Sequence, residues 1–220
     1  MKILGLIPAR GGSKSIPYKN IKILNGKPLI HYSIISAIKS KIFDHIVIST
    51  DSKKIKNKCK KFKGIKIFSR SKKISTDKSP TEDVLKDVLD KMKKKFKYFP
   101  NYIFILEPTS PFRSIETISK AKKIIKNKKI NSLITVKKID HIPGKIKNSK
   151  FYYNEKRINR RQERKSYYEE SSTLYCVKYN YFLNTNKIVS NIPFCFPVEK
   201  TEAIDINNHK DFLIASKLKK

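Results

Sequence analysis

Hydrophobic positions alternate between two patterns along the chain. Short apolar runs rich in β-branched residues recur, and between them lie longer segments whose apolar side chains return every three or four residues. The short runs are typical of buried strands and the longer segments of amphipathic helices. The predicted strands cover residues 2–8, 45–50, 65–69, 102–106, 132–136, 173–177 and 194–198. The predicted helices cover residues 28–40, 51–62, 80–95, 114–126, 179–184 and 208–218.

This alternation predicts an α/β fold, with a doubly wound, mostly parallel sheet covered by helices on both faces. In such folds ligands bind beyond the carboxyl ends of the strands. Residues 137–170 interrupt the rhythm, because this stretch is polar, contains Pro143 and Gly144, and exceeds the length of an ordinary connection. We interpret about 139–170 as an arm inserted in a single domain, 1–220, that packs on a partner subunit or over the site. A disordered insert is the alternative.

Composition narrows the class of protein. The chain has 220 residues, 39% of them hydrophobic, which is enough for a globular core and argues against disorder. No apolar run reaches the ~20 residues of a membrane helix, and the first residues lack the apolar stretch of a secretory leader. Three widely spaced cysteines without a CxxC motif suit a reducing compartment. These features predict a cytoplasmic protein that is not inserted in a membrane.

The net charge of +33 raises the question of a polyanionic partner. The basic residues are nearly all lysines spread over the whole chain, whereas arginine, which dominates base and phosphate recognition, is scarce. Ile and Asn are also abundant and Ala is rare, a bias that AT-rich codons produce. Genome composition therefore explains the charge better than nucleic-acid binding does. A basic nucleic-acid-binding protein remains the non-enzymatic alternative, with steeply salt-dependent affinity as its expected sign.

The first predicted strand leads into the motif IPARGGSKSIPYKN, residues 7–20. Gly11 and Gly12 allow the backbone to approach an anion closely and to direct N–H groups toward it. Arg10, Lys14 and Lys19 add three cations to the same loop, with Ser13 as a further donor. The loop matches neither the GxxxxGK[ST] nor the GxGxxG pattern. It suits a triphosphate, although a solvated Gly-Gly turn is the simpler structural interpretation.

This motif resembles that of the acylneuraminate cytidylyltransferases (CMP-sialic acid synthetases), a family that includes the enzymes for legionaminic and pseudaminic acids. Ser15 replaces the glycine that is common in the family. Further along the chain, Arg70 followed by Asp77, Ser79, Pro80 and Thr81 resembles a nucleotide-binding stretch of the family. The resemblance implies a fold of the nucleotide-diphospho-sugar transferase type and catalytic roles for Arg10, Lys14 and Lys19. The implied CTP-binding residues are Ala9, Arg10, Gly11, Gly12, Ser13, Lys19, Asn20, Arg70 and Thr81.

Two later motifs are similar to the sugar-binding segments of this family. EPTSPFR, residues 107–113, follows a predicted strand, and RRQE, residues 160–163, lies in the predicted arm. Arginine pairs grip carboxylates bidentately, which fits an acidic sugar. The alternatives are a proline-stiffened turn and a basic surface loop. The implied sugar-binding residues are Glu107, Thr109, Ser110, Arg161, Gln162 and Tyr175, while Ser172 replaces a usual glycine.

The motif AIDIN, residues 203–207, stands before the last predicted helix and resembles the metal-binding segment of the family. The resemblance implies that Asp205 and Asn207 bind Mg²⁺, a hard cation that prefers oxygen ligands. The second position often carries Asp in the family, so Asn207 supplies one charge less and we hypothesise weaker metal affinity. The alternative is that Asp205 is a turn acid and that Asn207 and Asn208 cap the helix.

Together the motifs indicate an enzyme that transfers the cytidylyl group of CTP to a nonulosonic (sialic-type) acid and releases pyrophosphate. The acceptor's anomeric hydroxyl would attack the α-phosphorus in line, with catalysis by positioning and electrostatics. The resemblance also implies a homodimer. The enzymatic alternatives are a CMP-Kdo synthetase or another sugar nucleotidyltransferase. The sequence leaves open which nonulosonic acid is used.

Overall fold

A computed structural model describes residues 1–154 and 165–218. The strands are β1 (Ile3–Pro8), β2 (Ile23–Leu24), β3 (Lys27–Pro28), β4 (His45–Thr50), β5 (Ile65–Ser69), β6 (Tyr102–Ile105), β7 (Ser132–Ile139), β8 (Gly144–Lys147), β9 (Lys150–Tyr153), β10 (Tyr167–Lys178) and β11 (Phe194–Pro197). The α-helices are α1 (Leu29–Ser40), α2 (Lys53–Cys59), α3 (Thr81–Phe96), α4 (Ile115–Asn127), α5 (Tyr179–Thr185) and α6 (His209–Lys217). Short 3₁₀ turns lie at Lys19–Ile21 and Lys72–Ile74.

The central sheet has seven strands in the order β11-β7-β10-β6-β1-β4-β5. β1 pairs in parallel with β4 and β6, β4 with β5, and β7 with β11. β10 is antiparallel to both of its neighbours, β6 and β7, and its register with β7 shifts between Ser171 and Tyr175. The prediction of a mostly parallel α/β sheet is confirmed, and β10 is the strand that departs from it.

Successive residues of β1 face opposite sides of the sheet, as the two-residue repeat of a strand requires. Ile3 and Ile7 belong to a core shared with α1, α2 and α4, whereas Leu4 and Leu6 belong to a second core shared with α3 and α5. Burial on both faces is why the strand is apolar throughout. The helices therefore cover both faces of the sheet, which confirms the doubly wound arrangement.

Helix ends follow their capping residues. The Ser114 hydroxyl accepts a hydrogen bond from the Thr117 N–H at 3.0 Å, so α4 begins where the sequence predicts. Ser52 caps α2 in the same way, which starts that helix later than the predicted residue 51. At its other end α2 stops at Cys59, short of the predicted residue 62, and Gly64 then turns the chain with a φ of 79°.

Part of the predicted arm, about 139–170, forms a hairpin of β8 and β9. Asn148 and Ser149 make its turn, both with positive φ, the conformation of a two-residue hairpin loop. β7 extends beyond its predicted end to Ile139, and β10 begins before its predicted start, at Tyr167. Among the described residues, no helix is both long enough and apolar enough to cross a bilayer.

Candidate active site

The predicted nucleotide-binding residues meet at one edge of the sheet. β1, β4, β5 and β6 run in parallel, so their carboxyl ends lie side by side. The loops that follow β1, β5 and β6 carry the Gly-rich motif, Arg70 and Glu107, respectively. Asp51 follows β4 at the same edge. Antiparallel β10 brings Tyr175 opposite Ile105, the last residue of β6.

The Gly-rich loop, defined here as residues 9–18, is fixed by its own backbone. The Ala9 N–H donates to the Ser49 carbonyl at 2.9 Å, and the Gly11 N–H donates to the Asp51 carboxylate at 2.8 Å. A Cβ added to Gly11 would lie 2.8 Å from the Cβ of Ser52, so the close approach of these segments requires glycine. Asn20 donates to the Arg10 carbonyl at 2.9 Å, which closes the loop from its far end.

The three predicted catalytic cations lie in two groups. Arg10 and Lys14 both form ion pairs with Asp77, the second at 3.1 Å. Hydrogen bonds from Lys14 and Arg10 lower the pKa of the Asp77 carboxyl. Lys19 instead donates to the Ile206 carbonyl at 2.9 Å. Burial lowers the pKa of Lys19, opposed mainly by the charge of Asp205.

Ser15, at the position where the resembled family commonly has glycine, links the Gly-rich loop to the AIDIN segment by a hydrogen bond. Its hydroxyl donates to the Asn207 carbonyl at 2.5 Å. The Ile206 N–H in turn donates to the Thr109 carbonyl at 2.9 Å. Three segments that are remote in the sequence are therefore joined through residues 206 and 207, and the serine substitution adds a contact that a glycine lacks.

The predicted metal ligands, Asp205 and Asn207, are adjacent. The Asn207 amide donates to Asp205 Oδ2 at 2.9 Å, while Asp205 Oδ1 is buried and has no hydrogen-bond partner among the described residues. Asn208, not Asn207, caps α6, in a capping box with Asp211. The Asn207 amide nitrogen, rather than its oxygen, faces Asp205, so the unpartnered Asp205 Oδ1 is the group that fits a hard cation. Within the described part of the chain, no cluster of three His, Cys, Asp or Glu side chains could hold a metal ion.

Arg70 and Glu107 place two titratable groups at the centre of the site, the first buried and the second partly buried. Arg70 is 8% exposed, and its Nε and Nη2 have no hydrogen-bond partner among the described residues. Burial lowers the pKa of Arg70. Burial also raises the pKa of Glu107 to about 7, against the opposing charges of Arg113, Arg70 and Lys19. Unsatisfied buried guanidinium nitrogens are unusual and suit a site that a polar ligand completes.

Arg113 holds three segments around the site together, a role that the sequence did not reveal. Its guanidinium donates to the carbonyls of Thr173 and Glu107 and to the hydroxyl of Ser33. The side chain is 1% exposed, and burial lowers its pKa to about 10. One arginine thus connects β10, the loop after β6, and α1. Its position within the EPTSPFR motif, in a chain poor in arginine, was the available signal.

Two cavities adjoin the predicted sugar-binding residues. One, of about 320 Å³, combines polar groups with an apolar wall. The other, of about 480 Å³, is lined by Asp205, Asn207 and two lysines that the sequence analysis missed, Lys137 and Lys200. Ser172 borders both cavities and lies 3.0 Å from the hydroxyl of Ser110. The smaller cavity is lined by Thr81, Glu82, Ile105, Glu107, Ser172, Tyr175, Ile188 and Val189.

The structure brings most predicted site residues to this edge, but not all can be located. Arg161 and Gln162, with the neighbouring Arg160 and Glu163, lie outside the described residues. A larger cavity, of about 960 Å³, lies apart between α1, α4 and the end of α6. It contains none of the predicted CTP-binding residues, and the hydroxyls of Tyr32, Ser36 and Ser216 there already donate to backbone carbonyls. The carboxyl edge of the sheet is therefore the candidate site.

Solved structures of similar fold share this architecture. CMP:2-keto-3-deoxy-manno-octonic acid synthetase superposes with a TM-score of 0.71 over 99% of this chain and 100% of the other, at 16% identity. The 4-diphosphocytidyl-2C-methyl-D-erythritol synthase of Anaerococcus prevotii gives a TM-score of 0.69 over 98% and 94%, at 18% identity. The fold is therefore that of the nucleotide-diphospho-sugar transferases.

Sequence comparison narrows this class to a family. Residues 4–209 match the family described as Cytidylyltransferase. The chain therefore belongs to the cytidylyltransferase family, and the prediction of a nucleotidyltransferase is confirmed.

Similar curated proteins carry more specific names. A CMP-N,N'-diacetyllegionaminic acid synthase of Legionella pneumophila is 42% identical over 57% of this chain and 54% of its own length. A protein of the same name from Campylobacter jejuni is 32% identical over 97% of this chain and 93% of its own. An N-acylneuraminate cytidylyltransferase of Streptococcus agalactiae is 28% identical over 97% of this chain, which spans only 52% of that relative. The resemblance to CMP-nonulosonic acid synthases is thereby confirmed.

Proposed function

We propose that this protein transfers the cytidylyl group of CTP to a nonulosonic acid, giving the CMP-sugar and pyrophosphate. The observation that carries the proposal is the meeting of cations and acids at one sheet edge. Beside the Gly-rich loop, Lys19 lies in the field of Asp205 and Glu107. The unsatisfied Arg70 lies in the field of Asp51 and Glu107. Such a site can neutralise a triphosphate and receive a hydroxylated acceptor at the same point.

Binding and transfer divide among the loops. The Gly-rich loop binds CTP. Its contributing residues are Ala9, Gly11, Gly12 and Ser13, and Asn20 closes the loop. Arg10, Lys14 and Lys19 stabilise the charge that develops on the leaving pyrophosphate, while Arg70 and Thr81 hold the nucleotide. The acceptor's anomeric hydroxyl attacks the α-phosphorus, the bond from that phosphorus to the bridging oxygen breaks, and no covalent enzyme intermediate is required.

The acceptor occupies the two cavities joined at Ser172. Their volumes of about 320 and 480 Å³ fall within the ~300–1,000 Å³ of small-molecule sites. Lys137 and Lys200 line the cavity of about 480 Å³ and form ion pairs with Glu169 and Asp140, so a sugar carboxylate would compete with these acids for the two ammonium groups. Glu107, Thr109, Ser110 and Tyr175 offer hydrogen-bonding groups to the sugar hydroxyls, and Arg161 and Gln162 of the arm complete carboxylate recognition.

Asp205 and Asn207 would hold Mg²⁺, because Asp205 presents an unpartnered carboxylate oxygen. When bound, this ion supplies positive charge to phosphate oxygens. We expect Asn207→Asp to lower the Mg²⁺ concentration needed for half-maximal turnover, since a second carboxylate binds a hard cation more strongly. Titration of Mg²⁺ against pyrophosphate release would measure this, with Asn191→Asp as the control for added charge. An unchanged requirement would contradict the hypothesis.

We also propose that the active form is a homodimer in the cytoplasm, where CTP is available. The supporting feature is one face of the β8–β9 hairpin, where the side chains of Ile146, Phe151 and Tyr153 are between 44% and 77% exposed. Exposed apolar clusters of this kind mark association surfaces. The predicted single domain, 1–220, would then contribute its arm, about 139–170, to a partner subunit.

The decisive experiment measures pyrophosphate release with Mg²⁺ and each of the four NTPs. The acceptors are N-acetylneuraminic, legionaminic and pseudaminic acids and 2-keto-3-deoxy-manno-octonic acid. We expect release with CTP and a nine-carbon acid. Release only with the eight-carbon acid would favour a CMP-Kdo synthetase, and no release together with salt-dependent binding of DNA or RNA would favour a nucleic-acid-binding protein.

A matched pair of variants ties the activity to the Gly-rich loop. Arg10→Ala should reduce turnover by about 100-fold or more, because the guanidinium no longer stabilises the negative charge that develops on the leaving pyrophosphate. Lys123→Ala removes an exposed cation from α4 and should leave turnover unchanged. Normal turnover in a folded Arg10→Ala protein would refute the assignment.

A further inference from the structure

The carboxylate of Asp77 forms ion pairs with two cations of the Gly-rich loop, Arg10 and Lys14. Asp77 Oδ1 contacts Arg10 Nη1, and Asp77 Oδ2 lies 3.1 Å from Lys14 Nζ. Each carboxylate oxygen therefore pairs with a different cation. Phosphate oxygens use the same donors in the same geometry. The triphosphate that we propose for this loop would compete with Asp77 for both partners.

Asp77 stands in a loop that connects two other proposed CTP-binding residues. Residues 71–80, here the bridging loop, run from Arg70 to Thr81, and Asp77 is its one acidic residue beside Lys72, Lys73 and Lys78. The loop is closed by its own hydroxyls, such as the contact of 2.8 Å between Thr76 and Ser79. Although three lysines share its own loop, Asp77 forms its ion pairs with Arg10 and Lys14 of the Gly-rich loop.

The ion pairs are close to solvent. The side chains of Arg10 and Asp77 are 33% and 35% exposed, and that of Lys14 is 88% exposed. Exposed pairs are weak because water and salt screen them. A triphosphate carries several charges where Asp77 carries one, so it can displace the carboxylate. The contact is therefore weak enough to yield to the substrate.

We propose that Asp77 is a positioning residue that acts as an internal counter-anion for Arg10 and Lys14 before CTP binds. It holds Arg10 and Lys14 toward the position of the β- and γ-phosphates, leaves them when CTP binds, and returns as pyrophosphate departs. Asp77 thereby weakens CTP binding and speeds product release. The inference rests on the proposed function, because it takes the triphosphate as the competing anion.

The test compares Asp77→Asn, which removes the charge at nearly constant shape, with two controls. Asp77→Glu keeps the carboxylate, and Asp90→Asn removes the same charge from the exposed face of α3. Calorimetric titration gives the Kd of CTP and of CMP, and steady-state assays give the inhibition constant of pyrophosphate. Urea denaturation checks that each variant is folded.

Asp77→Asn should bind CTP and pyrophosphate about three- to tenfold more tightly, as expected for releasing two exposed pairs. CMP lacks the displaced phosphates, so its Kd should stay constant, and the gain for CTP should shrink at ~1 M salt, where the Debye length is ~3 Å. Asp90→Asn should match the wild type, and Asp77→Glu should restore wild-type affinity. A wild-type protein that binds no CTP would overturn the proposed function. CTP binding that is unchanged or weaker in folded Asp77→Asn would overturn this inference alone.

Discussion

Glu107 shows how its surroundings change the chemistry of one residue. Its backbone carbonyl accepts hydrogen bonds from Ser33 and Arg113, which fixes the position of the side chain at the sheet edge. Burial and the nearby Asp205 raise its pKa to about 7, whereas Arg113, Arg70 and Lys19 oppose the shift. The carboxyl is thus partly protonated at neutral pH. The sequence indicated a contact with the sugar but could not show this environment.

The raised pKa of Glu107 predicts a pH-dependent stability. Because the folded-state pKa exceeds the unfolded value of 4.5, the folded protein holds the proton more tightly, and stability is lost as pH rises from about 4.5 through about 7. Glu107→Gln removes this loss. The difference in the free energy of unfolding between Glu107→Gln and the wild type should therefore shift by roughly 1–3 kcal/mol in favour of the variant from pH 5 to pH 8. Urea denaturation at several pH values measures the difference. Exposed Glu116→Gln is the control, and parallel pH profiles for Glu107→Gln and wild type would contradict the prediction.

At the scale of elements, local patterns predicted most of the fold. β4 and β5 have the predicted bounds, and α1, α3 and α4 begin within one residue of prediction, because apolar runs and caps are encoded locally. β10 was predicted only over its apolar half. Its polar first half pairs with the extension of β7, and its antiparallel direction depends on the path of the chain through the arm. Likewise the Gly-rich loop is contiguous and could be predicted, whereas Arg113 and Lys137 acquire their roles through distant partners.

Arg113 connects three elements, so its replacement should destabilise the whole domain. Arg113→Lys keeps the charge but cannot supply three donors in a fork, which leaves acceptors on Ser33, Glu107 or Thr173 unpaired. We expect a loss of about 2–4 kcal/mol in the free energy of unfolding. Equilibrium urea denaturation measures the loss. Arg10→Lys, at a partly exposed position, should change stability by less than about 0.5 kcal/mol. Equal midpoints for Arg113→Lys and wild type would disprove the structural role.

For the whole molecule, the distribution of exposed apolar groups says more than the net charge. The lysines are spread over the chain, as expected of solvated side chains in a biased composition. The β8–β9 hairpin, by contrast, exposes Ile146, Phe151 and Tyr153 on one face, and Tyr152 on the other. A two-stranded hairpin is marginally stable alone. Its aromatic and aliphatic surface is explained if a second copy of the chain covers it.

This reasoning predicts that the hairpin controls both assembly and sugar binding. Ile146→Ser combined with Phe151→Ser removes two exposed apolar side chains from paired positions of the hairpin, so the dimer should dissociate. Light scattering after size exclusion should give twice the chain mass for the wild type and the single mass for the variant. Ile192→Ser, at a site 91% exposed and outside the hairpin, is the matched control and should remain dimeric.

If Arg161 and Gln162 serve the partner's site, the monomer should show a larger rise in KM for the sugar than for CTP. A dimeric double variant, or a monomeric wild type, would contradict the assembly. A monomer with unchanged KM for the sugar would mean that each subunit completes its own site.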